Sequence, residues 1–189
     1  MQRIIKQPLN KEIILKTAVI FLVSYLISLL LWIQVKDIYS YGVINIAARL
    51  VSLTKEVEFE ELAQMGTDVI RATFRPLRHN AGLVIDIPVK TSSYTFNVPL
   101  TFGIMAALFP FVKRRAYIEG LLLLFATHLL TIYFSETAQL TMALVGKSFD
   151  SVGKIRMAVY QFLWVFSEEM VIKFVPFLIG FYMFIRFRK

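Results

Sequence analysis

Few side chains in this chain could do chemistry, and most of them sit inside apolar sequence. Glu168, Glu169 and Lys173 interrupt an apolar run, with Glu169 and Lys173 four apart in the acid-first order that favours a helical pair. At membrane depth such charges are costly and mark ion or proton paths. At headgroup level they form an ordinary surface pair, which suits an aromatic interfacial helix over Arg156 to Ser167 carrying Tyr160, Phe162, Trp164 and Phe166. His128 stands mid-run beside Thr127 and Thr131, placed either for a proton relay or for a neutral imidazole bonded to a neighbouring helix. His128, Glu169 and Lys173 are therefore the candidate intramembrane polar residues. Glu119 follows Lys113-Arg114-Arg115 closely enough to pair with them, and His79 falls in a polar loop where solvation accounts for it.

There is no cysteine, which removes disulfides, thiolate nucleophiles, iron–sulfur clusters and cysteine-containing zinc sites. Two histidines are too few for a histidine-only centre, so neither a metal nor a cofactor is expected. Gly-x-Ser-x-Gly, His-Glu-x-x-His and phosphate-loop patterns are absent from the sequence.

The elements that must hold these residues are read from hydropathy. Of the 189 residues 57% are hydrophobic, and apolar runs cover about 13–35, 97–112, 116–135 and 159–186. A bilayer core about 30 Å thick takes roughly 20 helical residues to cross, so these are four candidate spans, the second short and the fourth broken by charge. The first lacks a small-x-small cleavage site and reads as an uncleaved anchor. Arg3, Lys6, Lys11 and Lys16, then Lys113, Arg114 and Arg115, then Arg186, Arg188 and Lys189 fall at every second border, opposed only by Glu12. The positive-inside bias places both termini inside. The net charge of +8 thus comes from loops facing anionic headgroups, and no nucleic-acid partner is expected.

The outer segment 36–96 balances seven basic residues against seven acidic ones. Val43, Ile44, Ile46, Ala47, Leu50 and Val51 recur at helical spacing and predict an amphipathic helix on the outer leaflet or capping the bundle. Beyond it Leu83, Ile85, Ile87 and Val89 alternate with Val84, Asp86, Pro88 and Lys90, and Tyr94, Phe96 and Val98 alternate with Thr95 and Asn97. That period of two predicts a hairpin turning at Lys90 to Ser93. Asp68 to Phe74 offers a third strand, residues 75–82 a loop, and Pro88 an edge strand or bulge. A second outer loop is expected over 136–157. The chain then reads as one α-helical membrane domain, four spans, N-in and C-in, with a small extracytoplasmic insertion.

This order of parts resembles the short exosortase/archaeosortase-type membrane proteins over most of the chain. The local echoes are Thr101-Phe-Gly-Ile-Met-Ala-Ala-Leu-Phe-Pro110 and Val159-Tyr-Gln-Phe-Leu-Trp164 with Glu169 downstream, which resemble segments of the exosortase H group or its associated membrane protein. In the resembled enzymes a cysteine at the mouth of the short span, an arginine after the third span and a histidine opening the last span form a transpeptidase site. Here the cysteine position falls within Ser93 to Asn97, the arginine region at Phe134 to Gln139 holds Ser135 and Glu136, and Arg156 stands near the histidine position. A hydroxyl at Ser93 needs a neighbouring base to act as nucleophile, and no histidine is placed beside it in the sequence.

The resemblance implies the scaffold without the reaction: a non-catalytic companion in bacterial surface-protein sorting, multi-pass in the inner membrane. Its partners would be the bilayer and either an exosortase or the C-terminal sorting helix of a client, held in an outer groove with Glu136, Arg156 and Glu168 at its rim. The alternatives are a small transporter or channel subunit using the intramembrane polar residues, and a transpeptidase with the atypical nucleophile Ser93.

Overall fold

The computed structural model describes residues 11–77, 83–146 and 153–187. From Lys11 to Thr54 the sequence contains no proline, and its one glycine, Gly42, does not break the helical hydrogen bonding. The result is a single helix, α1 (Lys11–Thr54), 44 residues and about 66 Å long. The first span and the amphipathic helix expected as separate elements are thus one rod. Lys36 and Asp37, which mark the end of the apolar run, are tolerated in a helix. The amphipathic spacing itself is realised, because Val43, Ile44, Ala47, Ala48 and Val51 are buried.

Three strands follow, β1 (Val57–Met65), β2 (Val69–Pro76) and β3 (Ile85–Lys90), forming an antiparallel sheet in the order β1-β2-β3. Met65 faces Val69 across a three-residue turn in which Gly66 takes φ 76°, a left-handed conformation that glycine adopts without a Cβ clash. The expected third strand is present as β2. The expected hairpin is not formed. β3 pairs with β2, from Val69↔Lys90 to Phe74↔Ile85, while residues 91–95 turn into a short helix, α2 (Thr91–Thr95). Tertiary capping overrides the strand pattern there: Asp68 accepts hydrogen bonds from Thr91 Oγ1 (2.8 Å), Ser92 N (2.9 Å) and Ser92 Oγ (2.5 Å), satisfying donors at the start of α2. β1 was not anticipated, since its acidic residues mask the alternation. Pro88 sits on β3, an edge strand, where its missing N–H breaks no ladder bond. His79 lies outside the described residues.

The second apolar run forms only a ten-residue helix, α3 (Val98–Ala107), about 15 Å and half a bilayer core. Helix α4 (Arg115–Gly146) runs on through much of the expected second outer loop. The last helical stretch joins α5 (Lys154–Phe166), a π-helical turn (Ser167–Val171) and α6 (Ile172–Phe187). Three helices, α1, α4 and the joined 154–187 stretch, are long and apolar enough to cross a membrane.

Two buried clusters divide the molecule lengthwise. One packs the inner sheet face (Ile70, Ala72, Phe74, Ile87) on the C-terminal halves of α1 and α4. The other joins α3, the start of α4 and α6 through Met105, Leu124, Ile179 and Met183. At the far end of this second cluster the basic turn meets the chain's last helix, where the Lys113 N–H donates to the Phe187 carbonyl (3.0 Å).

Close helix approach depends on glycine. A Cβ at Gly180 would lie 2.6 Å from Ile104 Cγ2, and one at Gly103 would lie 3.1 Å from Tyr25 Cβ, the small-residue packing typical of membrane helices. Gly180→Val is therefore expected to lower stability by about 1–3 kcal/mol through overpacking of α6 on α3. Gly42→Ala, which meets nothing within 4 Å, should leave the protein as stable or more so. Thermal unfolding of the two purified variants in one detergent checks both.

Candidate functional site

The polar residues of the bundle gather at two levels. The first is a hydrogen-bonded relay at the waist between the two clusters. Pro176 lies inside α6 and has no N–H, so the carbonyl of Ile172, four residues earlier, loses its helical partner. Asn97, between α2 and α3, supplies the donor: its Nδ2 bonds the Ile172 oxygen at 2.9 Å. That fixes the amide orientation and leaves Oδ1 as an acceptor. The Nε2–H of His128 on α4 donates to it (2.8 Å), and the Tyr39 hydroxyl on α1 donates to Nδ1 (2.7 Å). Both ring nitrogens are engaged, and Asn97 and His128 are fully buried. The π-helical turn lies immediately before Ile172, whose N–H bonds the carbonyl of Ser167, five residues back. His128 is thus bonded between neighbouring segments of the bundle through both ring nitrogens.

The second level lies farther along α4. Tyr94 of α2 reaches Ser135 (hydroxyl oxygens 2.9 Å apart), and Gln139 Nε2 donates to the same Ser135 Oγ (3.0 Å). Beside them Glu136 is 0% exposed, and neither carboxylate oxygen has a hydrogen-bond partner among the described residues. The Trp164 indole N–H of α5 is buried there too, within reach of the Tyr94 hydroxyl. Burial pushes the Tyr94 hydroxyl up to about 12, and the charges of Glu168 and Glu136 add to the rise, so both carboxylates lie within electrostatic reach of this tyrosine. Asp68, under the sheet turn, goes the other way. Its partial burial would raise it, but hydrogen bonds from Ser92 and Thr91 and the charge of Lys36 outweigh that and hold it below 3.8.

The three residues expected at one groove rim are distributed differently. Glu136 is in the interior, because the helix continues past residue 135 and carries it under α2. Glu168 is half-buried in the π-helical turn. Arg156 is exposed near the start of α5, its Nε donating to Tyr160 (3.1 Å), whose ring also lies 4.3 Å from Lys55 Nζ. Glu169 and Lys173 form their pair at 2.5 Å with side chains 59% and 53% exposed, on the surface of the molecule. Glu119 accepts from Tyr182 (2.7 Å) and Arg115 (3.2 Å), with Arg186 at 3.7 Å. Ser93 is half-buried on α2 and makes no side-chain hydrogen bond among the described residues. No group of three or more His, Asp or Glu side chains among the described residues could hold a metal ion.

Sequence reading missed Asn97, Tyr39 and Tyr94. One signal was available for Asn97: Pro176 inside an apolar run announces an orphan carbonyl that some donor has to meet.

The relay makes a sharp prediction. Asn97→Ala leaves both the His128 N–H and the Ile172 carbonyl unsatisfied, an expected loss of about 2–5 kcal/mol. Pro176→Ala returns an N–H for Ile172, so the double variant Asn97→Ala/Pro176→Ala should lose less than the sum of the single changes. Additive losses in thermal unfolding would show that the Ile172 carbonyl does not matter.

No curated protein and no solved structure matches the chain. A family model described as exosortase H-associated membrane protein matches residues 11–187, nearly the whole chain. The waist, the sheet and the three long helices all fall inside that match, and the chain belongs to the family of exosortase H-associated membrane proteins.

Proposed function

We propose that this chain is a non-catalytic companion of an exosortase in the bacterial inner membrane, crossing it four times with both termini inside, and that it binds its partner through the outer face of α5. One observation carries this reading. Ile155, Val159, Phe162 and Phe166 form a stripe at helical spacing on α5, each of them 43–83% exposed, and no residue of α5 is buried.

Length argues that lipid does not cover this stripe. The 34 residues from Lys154 to Phe187 span roughly 50 Å against a core of about 30 Å. With Phe187 at the basic end, the far edge of the hydrocarbon falls near Glu168, and α5 projects beyond it. A continuous apolar stripe outside the bilayer is the mark of a docking surface, and it fits a partner helix laid along it at i, i+4 and i+7. Arg156 and Glu168 stand at the two ends of the stripe, where they would set register, and Glu136 lies behind α5 as an unmatched polar group.

The four-pass reading rests on direction. α1 runs from the basic end to the sheet, α3 returns beside it, α4 leads out again and α6 comes back to Lys113. Absence of catalysis is supported by His128, whose two nitrogens are already committed, leaving Ser93 without that base. The exposure of Glu169 and Lys173 favours a surface pair over a conducting path.

Co-purification with an exosortase of the H type tests the proposal. Val159→Asp and Phe162→Asp should each reduce capture of the tagged enzyme at least tenfold at unchanged membrane levels of this chain, and Ser93→Ala should leave capture and phenotype intact. Undiminished capture by both aspartate variants overturns the α5 interface. Loss of phenotype in Ser93→Ala with capture retained overturns the non-catalytic reading.

A further inference from the structure

At the basic end a groove of about 450 Å³ opens between α1, α3 and α4, lined almost entirely by apolar atoms. Ile20 comes from α1, Phe102 and Met105 from α3, Phe109 and Pro110 from the turn, and Tyr117 from α4. The one polar group in the wall is spent, because the Tyr117 hydroxyl donates to the Met105 carbonyl (3.0 Å). A water-soluble ligand would find nothing to hydrogen-bond there, whereas an acyl chain would find only favourable contact.

Selectivity comes from the surrounding charges. Of the described cations at this end, Arg115 and Arg186 are drawn to Glu119. Lys16, Lys113 and Arg114 are exposed and take no ion-pair partner among the described residues. Lys16 lies one helical turn before Ile20. Lys113 and Arg114 lie four and three residues before Tyr117, with the Arg114 carbonyl bonded to the Tyr117 N–H at 3.1 Å. Three uncompensated cations are thus tied through the backbone to the groove's own lining residues. Basic pockets between membrane helices recognise anionic headgroups in this way.

We propose that this groove binds an anionic diacyl phospholipid of the surrounding leaflet, one acyl chain lying against Ile20, Met105 and Tyr117 and the phosphate held by Lys16, Lys113 and Arg114. The site is separate from α5 and does not depend on the partner reading. Bound there, the lipid would fill the groove between α1, α3 and α4.

Native mass spectrometry of the purified full chain tests it, with phosphatidylglycerol and phosphatidylcholine of identical acyl chains supplied in equal amounts. The unmodified protein should retain phosphatidylglycerol at least fivefold over phosphatidylcholine. Lys16→Gln/Lys113→Gln/Arg114→Gln should bring the two lipids level, while Lys113→Arg/Arg114→Lys, which keeps the charge, should preserve the preference. Ala106→Trp, filling the groove, should lower retention of both lipids. Equal retention by the unmodified protein, an undiminished preference in the glutamine variant, or unchanged retention in Ala106→Trp overturns the site.

Discussion

A single carbonyl without a helical partner organises the middle of this protein. Pro176 cannot donate to Ile172, and in a low-dielectric interior an unmet backbone oxygen costs as much as a lost hydrogen bond. Asn97 meets it from another helix, His128 holds Asn97, and Tyr39 holds His128. Each bond fixes the donor and acceptor roles of the next, so four separate chain segments are locked in one register. Coupled buried networks of this kind are worth more intact than their parts, and they leave little room for sliding.

That lock sits at the right height to matter. Counting from Arg115, His128 lies roughly 20 Å along α4 and Glu136 roughly 30 Å, which in the proposed topology puts the relay within the hydrocarbon and Glu136 near its far edge. Below the relay the packing is glycine-mediated: Gly103 and Gly180 let α1 and α6 close on α3, and Gly120 meets Met183 and Ile179. Above it the sheet seats on α1 and α4 through β-branched and aromatic side chains. The relay joins the glycine-packed helical core to the sheet-bearing head, and the two share the same long helices.

The head is where polar matching is incomplete. Glu136 is buried without a partner among the described residues, and the neighbouring α5 presents its apolar stripe outward. The π-helical turn connects that helix to the locked α6, and such turns recur at functional positions in helices. In the proposed companion role the waist would serve as a rigid mount and α5 as the unfinished surface.

How much could be read without the tertiary structure follows from the range of each force. Hydrophobic periodicity and the placement of Lys and Arg are local, and they revealed the membrane helices, the amphipathic face at Val43 to Val51 and the strand at Ile85 to Val89. Where two local patterns abut, as at Val35 to Tyr41 or Ser135 to Gly146, nothing in the sequence said that the helix would run on. Only the sheet and α2, packed against those faces, make continuation worthwhile. The residues after Lys90 alternate like a strand, but Asp68, more than twenty residues away, caps them as a helix. The relay was out of reach for the same reason: Tyr39, Asn97, His128 and Ile172 are 31 to 89 residues apart along its hydrogen bonds. A hydrogen bond acts over about 3 Å, so only the folded chain decides which donor an orphan carbonyl receives.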